Sequence, residues 1–215
     1  MRFELLRTIR EDDKNLVLRR NGTSLELVLG NVVLLSSAAL ETERTFGQLS
    51  KPTFGASKRV VIGGLGFGST LRGVLDVAPA DAEIIVVEKL RTVAEIARAE
   101  AADLVAGALD DPRVTLLHTD VADVIAEAPP ASLAAVLLDV DNGPEWASFR
   151  TNARLYADAA LAQARRALAP GGLYAVWSGY AVDKFLGALR GAGFVARIEP
   201  LRERGVVRAR AYLGS

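Results

Sequence analysis

The chain has 215 residues, half of them hydrophobic, which is enough for one well-packed domain and little more. Its 26 basic and 26 acidic residues balance to a formal net charge of zero, which argues against a broad electrostatic landing surface for nucleic acid or acidic lipid. With no cysteine and a single histidine, His118, the composition excludes disulfides, thiolate metal sites, a cysteine nucleophile and any chemistry that needs two imidazoles.

The opening Met1-Arg2-Phe3-Glu4 lacks an apolar run of signal-peptide length, and no segment approaches about 18 consecutive apolar residues. A cytoplasmic protein without membrane contact is therefore expected. Residues 1–50 read as a small β-rich extension, with short strands over 16–18, 25–29 and 32–35 and a polar helix over 36–49. Asn21-Gly22, between two apolar runs, predicts a type I′ hairpin turn, whose two central residues both need positive φ.

Residues 51–215 read as the main domain. Apolar runs alternate with helical stretches, the mark of a parallel sheet covered on both faces. Strands are expected over 60–62, 83–87, 114–118, 134–138 and 173–177, and helices over 69–76, 91–107, 147–168 and 183–191. Pro170-Gly171-Gly172 is expected to stop the third of these helices. A closing pair of strands falls over 194–198 and 206–213. In the second of them Val207, Ala209, Ala211 and Leu213 alternate with Arg208, Arg210 and Tyr212, which predicts a half-buried strand with a basic outer face.

The densest signal is the run Val60-Val61-Ile62-Gly63-Gly64-Leu65-Gly66-Phe67-Gly68-Ser69-Thr70. Gly64, Gly66 and Gly68 follow a buried strand and precede a helix, so the backbone can turn sharply and a ligand can lie against it. Glu88 ends the next strand, where a carboxylate can accept from both hydroxyls of a ribose. A glycine turn with an acid at that distance points to an adenosine-containing cofactor. The spacing Gly-x-Gly-x-Gly disfavours a dinucleotide, whose turn reads Gly-x-Gly-x-x-Gly. Asp120, followed by Val121, stands after the third strand, placed either to take an adenine amino group or to cap the next helix.

These residues resemble the S-adenosylmethionine-binding methyltransferase fold and, more narrowly, the spermidine synthase (polyamine aminopropyltransferase) family. The resemblance rests on Gly63 through Leu75 with Thr70-Leu71-Arg72, on Val86-Val87-Glu88, on Asp111-Pro112-Arg113-Val114, and on Leu138-Asp139-Val140-Asp141-Asn142-Gly143-Pro144. It implies an α/β fold with a Rossmann-like, mostly parallel seven-stranded sheet whose last strand is antiparallel, a small amine acceptor, and a homodimer. It also implies a nucleoside held by Gly64, Gly66, Gly68, Thr70, Glu88, Asp120 and Val121, with Asp139 and Asp141 at the transfer centre.

The departures concern charge. The family's glycine loop holds an Asp for the aminopropyl amine where this chain has Phe67, and Phe46 and Gln48 stand where a Tyr and a Glu flank the polyamine. A cationic diamine needs carboxylates to replace its water. Methyl transfer from S-adenosylmethionine to a small amine or hydroxyl is therefore the expected reaction. The alternatives are aminopropyl transfer from decarboxylated S-adenosylmethionine to a polyamine, or a homologue that binds the nucleoside without catalysis. Phe67, Asn142, Trp146 and Tyr180 are expected to line the acceptor pocket, although core packing is the simpler role for Trp146, Tyr156, Trp177 and Tyr180. His118 is expected to be structural, and the arginines at 197, 202, 204, 208 and 210 to form a solvated face. Asp139, Asp141 and Asn142 crowd one short loop and make a poor octahedral fragment, so no metal is expected.

Overall fold

Alternating apolar and polar residues fold the start of the chain into four antiparallel strands in sequential order, β1 (Glu4–Glu11), β2 (Lys14–Asn21), β3 (Ser24–Leu29) and β4 (Val32–Ser36). This and all that follows is seen in a computed structural model that describes residues 3–11, 13–140 and 150–215. Strand β1 is absent from the expectation because four of its eight residues, Glu4, Arg7, Arg10 and Glu11, are charged, as suits the edge of a sheet. The hairpin turn also differs. Asn21 pairs with Ser24, so the loop is Gly22-Thr23, and only Gly22, at φ +62°, has the positive φ that a type I′ turn requires twice. A 3-10 turn, Ser37–Ala39, then leads into helix α1 (Leu40–Gln48).

The second sheet has seven strands in the order β10-β11-β9-β8-β5-β6-β7. Its strands are β5 (Arg59–Gly63), β6 (Glu83–Val87), β7 (Val114–Leu117), β8 (Leu133–Leu138), β9 (Leu168–Ser178), β10 (Ala196–Glu203) and β11 (Val206–Gly214). All pairings are parallel except those of β11, which runs antiparallel to both β9 and β10. The helices between them are α2 (Ser69–Leu75), α3 (Arg91–Arg98), α4 (Ala102–Val105), α5 (Val121–Glu127), α6 (Asp158–Ala167) and α7 (Asp183–Gly191).

Four expectations are corrected. The helix over 91–107 breaks into α3 and α4, because Ala99 leaves helical geometry and the Ala101 N–H reaches back to the Ile96 carbonyl at 2.9 Å. The long helix is divided too. Its described part is a 3-10 segment, Arg150–Tyr156, followed by α6, because Ala157 is extended at φ −73°, ψ 154°. That helix ends at Ala167, so Pro170-Gly171-Gly172 does not stop it; these residues sit within β9, where the pairing with β8 jumps from Leu133↔Leu168 to Ala135↔Leu173. The last strand is not one-sided either. As an interior strand β11 buries Tyr212 completely, and the Tyr212 hydroxyl accepts the Val182 N–H at 2.5 Å. Arg197, Arg202, Arg204 and Arg208 are exposed and Arg210 is half-buried.

Each face of the large sheet carries a core. Val60 and Ile62 of β5 point to one side, where Phe46 of α1, Leu71 and Val74 of α2 and Ile96 of α3 pack with Ile9, Leu16, Leu18, Leu25 and Leu27 of the small sheet. Val61 points to the other, with Ile125 of α5, Leu161 of α6 and Phe185 of α7. The small sheet thus shares a core with the large one instead of closing its own. Each such buried leucine contributes roughly 1.5–3 kcal/mol. Among the described residues no helix is long and apolar enough to cross a membrane.

Candidate functional site

Strand β5 lies between β8 and β6, so the strand order reverses at its carboxyl end, the place where open α/β sheets bind ligands. The glycine turn stands there. Gly64, Gly66 and Gly68 have φ of +90°, +52° and +77°. A Cβ on Gly64 would sit 2.2 Å from the Asp139 carbonyl oxygen, so glycine is required both for the conformation and for the approach of β5 to the end of β8. The Asp139 N–H donates to the Gly63 carbonyl and the Gly64 N–H to that of Val87, each at 2.8 Å, which ties the turn to both neighbouring strand ends. Above Gly66 the space is open, since a Cβ there would meet only Leu35 of β4, at 3.8 Å.

Glu88 follows β6 and folds back onto the turn. Its Oε2 accepts the Leu65 N–H at 3.0 Å and its Oε1 the Leu90 N–H at 2.8 Å. Burial pushes its pKa up, opposed by these N–H groups. Each oxygen keeps a lone pair for a hydroxyl. His118, expected to be structural, is exposed, and its Nδ1 lies 3.3 Å from the Glu88 carbonyl oxygen. Asp120 caps α5 by accepting the Ala122 N–H at 3.0 Å, and it pairs with Lys89 at 3.2 Å and Arg154 at 2.7 Å. The capping alternative is therefore what is seen. Val121 is buried, and a Cβ on Gly63 would approach its Cγ2 to 3.0 Å.

Asp139 leaves the end of β8 beside the glycine turn, and the Thr70 hydroxyl donates to its Oδ2 at 2.6 Å. Burial raises the Asp139 pKa to about 6, with the Thr70 bond working against the rise. The same hydroxyl lies 3.3 Å from the Glu43 backbone carbonyl, which brings α1 against the site. Burial pushes the Glu43 carboxyl well above the usual range, reinforced by the negative charges of Asp139 and Glu203. Sequence reasoning singled out neither Glu43 nor Glu203. They stand 160 residues apart, and only the packing of α1 against β10 and β11 brings them to one place.

The expected pocket residues are dispersed. Phe67 turns into the core with 2% exposure, whereas Tyr180 is 53% exposed. Tyr156 meets Phe185 edge-on at 5.6 Å, and Trp177 packs partly buried on the sheet. Asp141, Asn142 and Trp146 lie outside the described residues.

Seven strands in this order, a four-stranded sheet over the glycine turn and an acid at the end of β8 invite comparison with solved structures. A spermidine synthase from Thermotoga maritima superposes with a TM-score of 0.77 at 18% identity, covering 99% of this chain and 72% of that one. The chain has the spermidine synthase fold. A spermidine synthase in complex with the transition-state analogue AdoDATO gives a TM-score of 0.76 at 17% identity over the same shares of the two chains. A probable spermidine synthase from Corynebacterium glutamicum gives 0.65 at 20% identity, with 97% and 79% covered. In sequence, polyamine aminopropyltransferases of Mycobacterium tuberculosis and Mycobacterium bovis are homologous to part of the chain, 36% identical over 148 residues, 65% of this chain. The chain spans 27% of the length of those curated relatives. No protein-family model matches it.

Proposed function

We propose that this chain is a transferase that moves an aminopropyl group from decarboxylated S-adenosylmethionine to a small amine. The observation that carries the reading is Asp139, a half-buried carboxyl at the end of β8 held by Thr70 of the glycine-turn helix, in a chain homologous to polyamine aminopropyltransferases. Methyl transfer, expected on the sequence because Phe67 replaces an acid, finds no support among these relatives. The turn at Gly64, Gly66 and Gly68 would carry the nucleoside, with Glu88 on the ribose diol and Val121 beneath the turn. Asp120, with its carboxylate already engaged, would keep at most a free lone pair for an adenine amino group.

In the reaction, the amine lone pair forms a bond to the aminopropyl carbon attached to the sulfonium while the carbon–sulfur bond breaks, releasing a neutral thioether nucleoside and leaving a proton on the new nitrogen. Positioning dominates such a displacement. Asp139, ionised above about pH 6, is placed to orient the amine and take the proton, a role worth about 10²–10⁴ in rate. The Thr70 hydroxyl fixes which carboxylate oxygen remains free. Leu35 of β4 is the nearest side chain over Gly66, and α1 reaches the site through the Glu43 carbonyl.

Calorimetry with the two donors tests the reading. Decarboxylated S-adenosylmethionine is expected to bind at least tenfold more tightly than S-adenosylmethionine. Preferential binding of the carboxylated donor would restore methyl transfer.

A further inference from the structure

Among the described residues, a buried hydrogen-bond donor beside the transfer centre, the indole N–H of Trp177, has no acceptor. We infer that this N–H selects the substrate, holding a neutral oxygen that the accepting amine carries a few bonds from its nitrogen; this deepens the aminopropyl-transfer reading and rests on it.

Sheet register places the indole. Strands β8 and β9 pair in parallel, with Leu137 opposite Ala175 and Leu138 opposite Val176. Asp139 and Trp177 come next, one strand spacing apart, roughly 5 Å. Leu137 and Ala175 both face the core that α1 and α2 cover, and the side chains two residues further along return to that face. Trp177 packs against that core, and Asp139 turns the same way, since its Oδ2 accepts from Thr70 of α2. The indole therefore stands beside the carboxyl on one face of the sheet. Its Nε1 is shut off from solvent. The next hydroxyl along β9, that of Ser178, is used within its own turn, where it donates to the Tyr180 carbonyl at 2.9 Å.

An indole N–H can only donate. A closed-off donor is costly and rarely left unmet in a folded protein, so the position calls for a ligand atom with a lone pair. An ammonium offers only N–H groups, which an N–H donor repels. A carboxylate would meet the ionised Asp139 at close range. A hydroxyl or carbonyl oxygen satisfies the donor without either penalty. With Thr70 on Oδ2, the other oxygen of Asp139 takes the amine while Trp177 takes the ligand oxygen. The pair thus reads a donor and an acceptor on one short chain. The substrate class that fits is an amino alcohol, or an amine bearing a neutral carbonyl.

The test is titration calorimetry of protein saturated with 5′-methylthioadenosine, using amines of equal length: 3-aminopropan-1-ol, n-butylamine and 1,3-diaminopropane. The alcohol is expected to bind about fivefold or more tightly than either of the others. In Trp177→Phe its advantage over n-butylamine should shrink to about twofold or less, with 5′-methylthioadenosine still bound, which shows that the variant is folded. Trp177→3-benzothienylalanine, which exchanges the N–H for sulfur at nearly constant shape, should do the same. In isotope-labelled parent protein the indole N–H signal that Trp177→Phe removes should move downfield with the alcohol and stay in place with n-butylamine. Equal affinities for the alcohol and n-butylamine, a preference for the diamine, or an indole signal moved fully by 5′-methylthioadenosine alone would overturn this inference and leave the transfer reading standing. Absence of 5′-methylthioadenosine binding in the parent would overturn the transfer reading and this inference with it.

Discussion

Asp139→Asn is expected to make the protein more stable at neutral pH while removing the proposed transfer activity. The Asp139 pKa is raised by burial from 3.8 to about 6. A carboxyl shifted upward on folding contributes stability below its unfolded pKa and loses that contribution as the pH climbs through the folded value. Between pH 3.8 and 6 the folded state therefore surrenders about 3 kcal/mol, at 1.36 kcal/mol per pKa unit. Asparagine keeps the shape and can still accept from Thr70, but it carries no charge at any pH. At pH 7.5 the variant should gain up to about 3 kcal/mol, a rise in melting temperature of roughly 6–12 °C for a chain of this size. At pH 3.5 the two proteins should melt together. Melting curves of both across pH 3.5–8 decide the matter. A difference that does not change with pH, or a loss of stability at pH 7.5, would refute the placement of Asp139 as a desolvated, ionised carboxyl.

Thr70→Val removes a bond to the ionised form that is worth about 1.5–3 kcal/mol, so the acid limb of the pH–rate profile should move up from about pH 6 by roughly one to two units; an unmoved limb would separate Thr70 from the titration. Gly64→Ala places a Cβ 2.2 Å from the Asp139 carbonyl at a φ of +90° and should destabilise the fold by more than about 3 kcal/mol, read by chemical denaturation. Tyr212→Phe strips the Val182 N–H of its acceptor in a fully buried setting, and about 1–3 kcal/mol should be lost in the same assay. Glu11 of β1 accepts the Arg91 and Thr92 N–H groups at 2.6 and 3.0 Å and so fastens the small sheet to the start of α3; Glu11→Ala should cost about 1 kcal/mol and raise hydrogen exchange across β1 first.

The parallel strands were legible because their runs are short, apolar and bounded by turn residues, and β6 and α7 begin and end where periodicity places them. The glycine turn and Glu88 were legible for a related reason, since local backbone geometry dictates glycine there and the acid closes the following strand. What escaped depends on tertiary contact. Arg7 of β1 reaches Glu95 on α3 at 2.8 Å, a partner 88 residues away, so its charges look like solvent-facing loop in the sequence. Phe67 reads as a pocket residue beside a cofactor, yet it faces inward because the turn at Gly66 and Gly68 directs it into the core under the small sheet. Glu43 and Glu203 each sit among other charged residues, and nothing in their spacing separates a buried acid from a solvated one. The break in the long helix at Ala157 likewise carries no Gly or Pro to mark it, and the middling helix formers Tyr156 and Asp158 beside it occur within many unbroken helices.

Mass spectrometry of the products formed from 1,4-diaminobutane and decarboxylated S-adenosylmethionine tests the central claim most directly. The expected outcome is 5′-methylthioadenosine and aminopropylated diamine in equal amounts, abolished by Asp139→Asn. Unchanged diamine, or diamine carrying only a methyl group when S-adenosylmethionine is supplied instead, would contradict it.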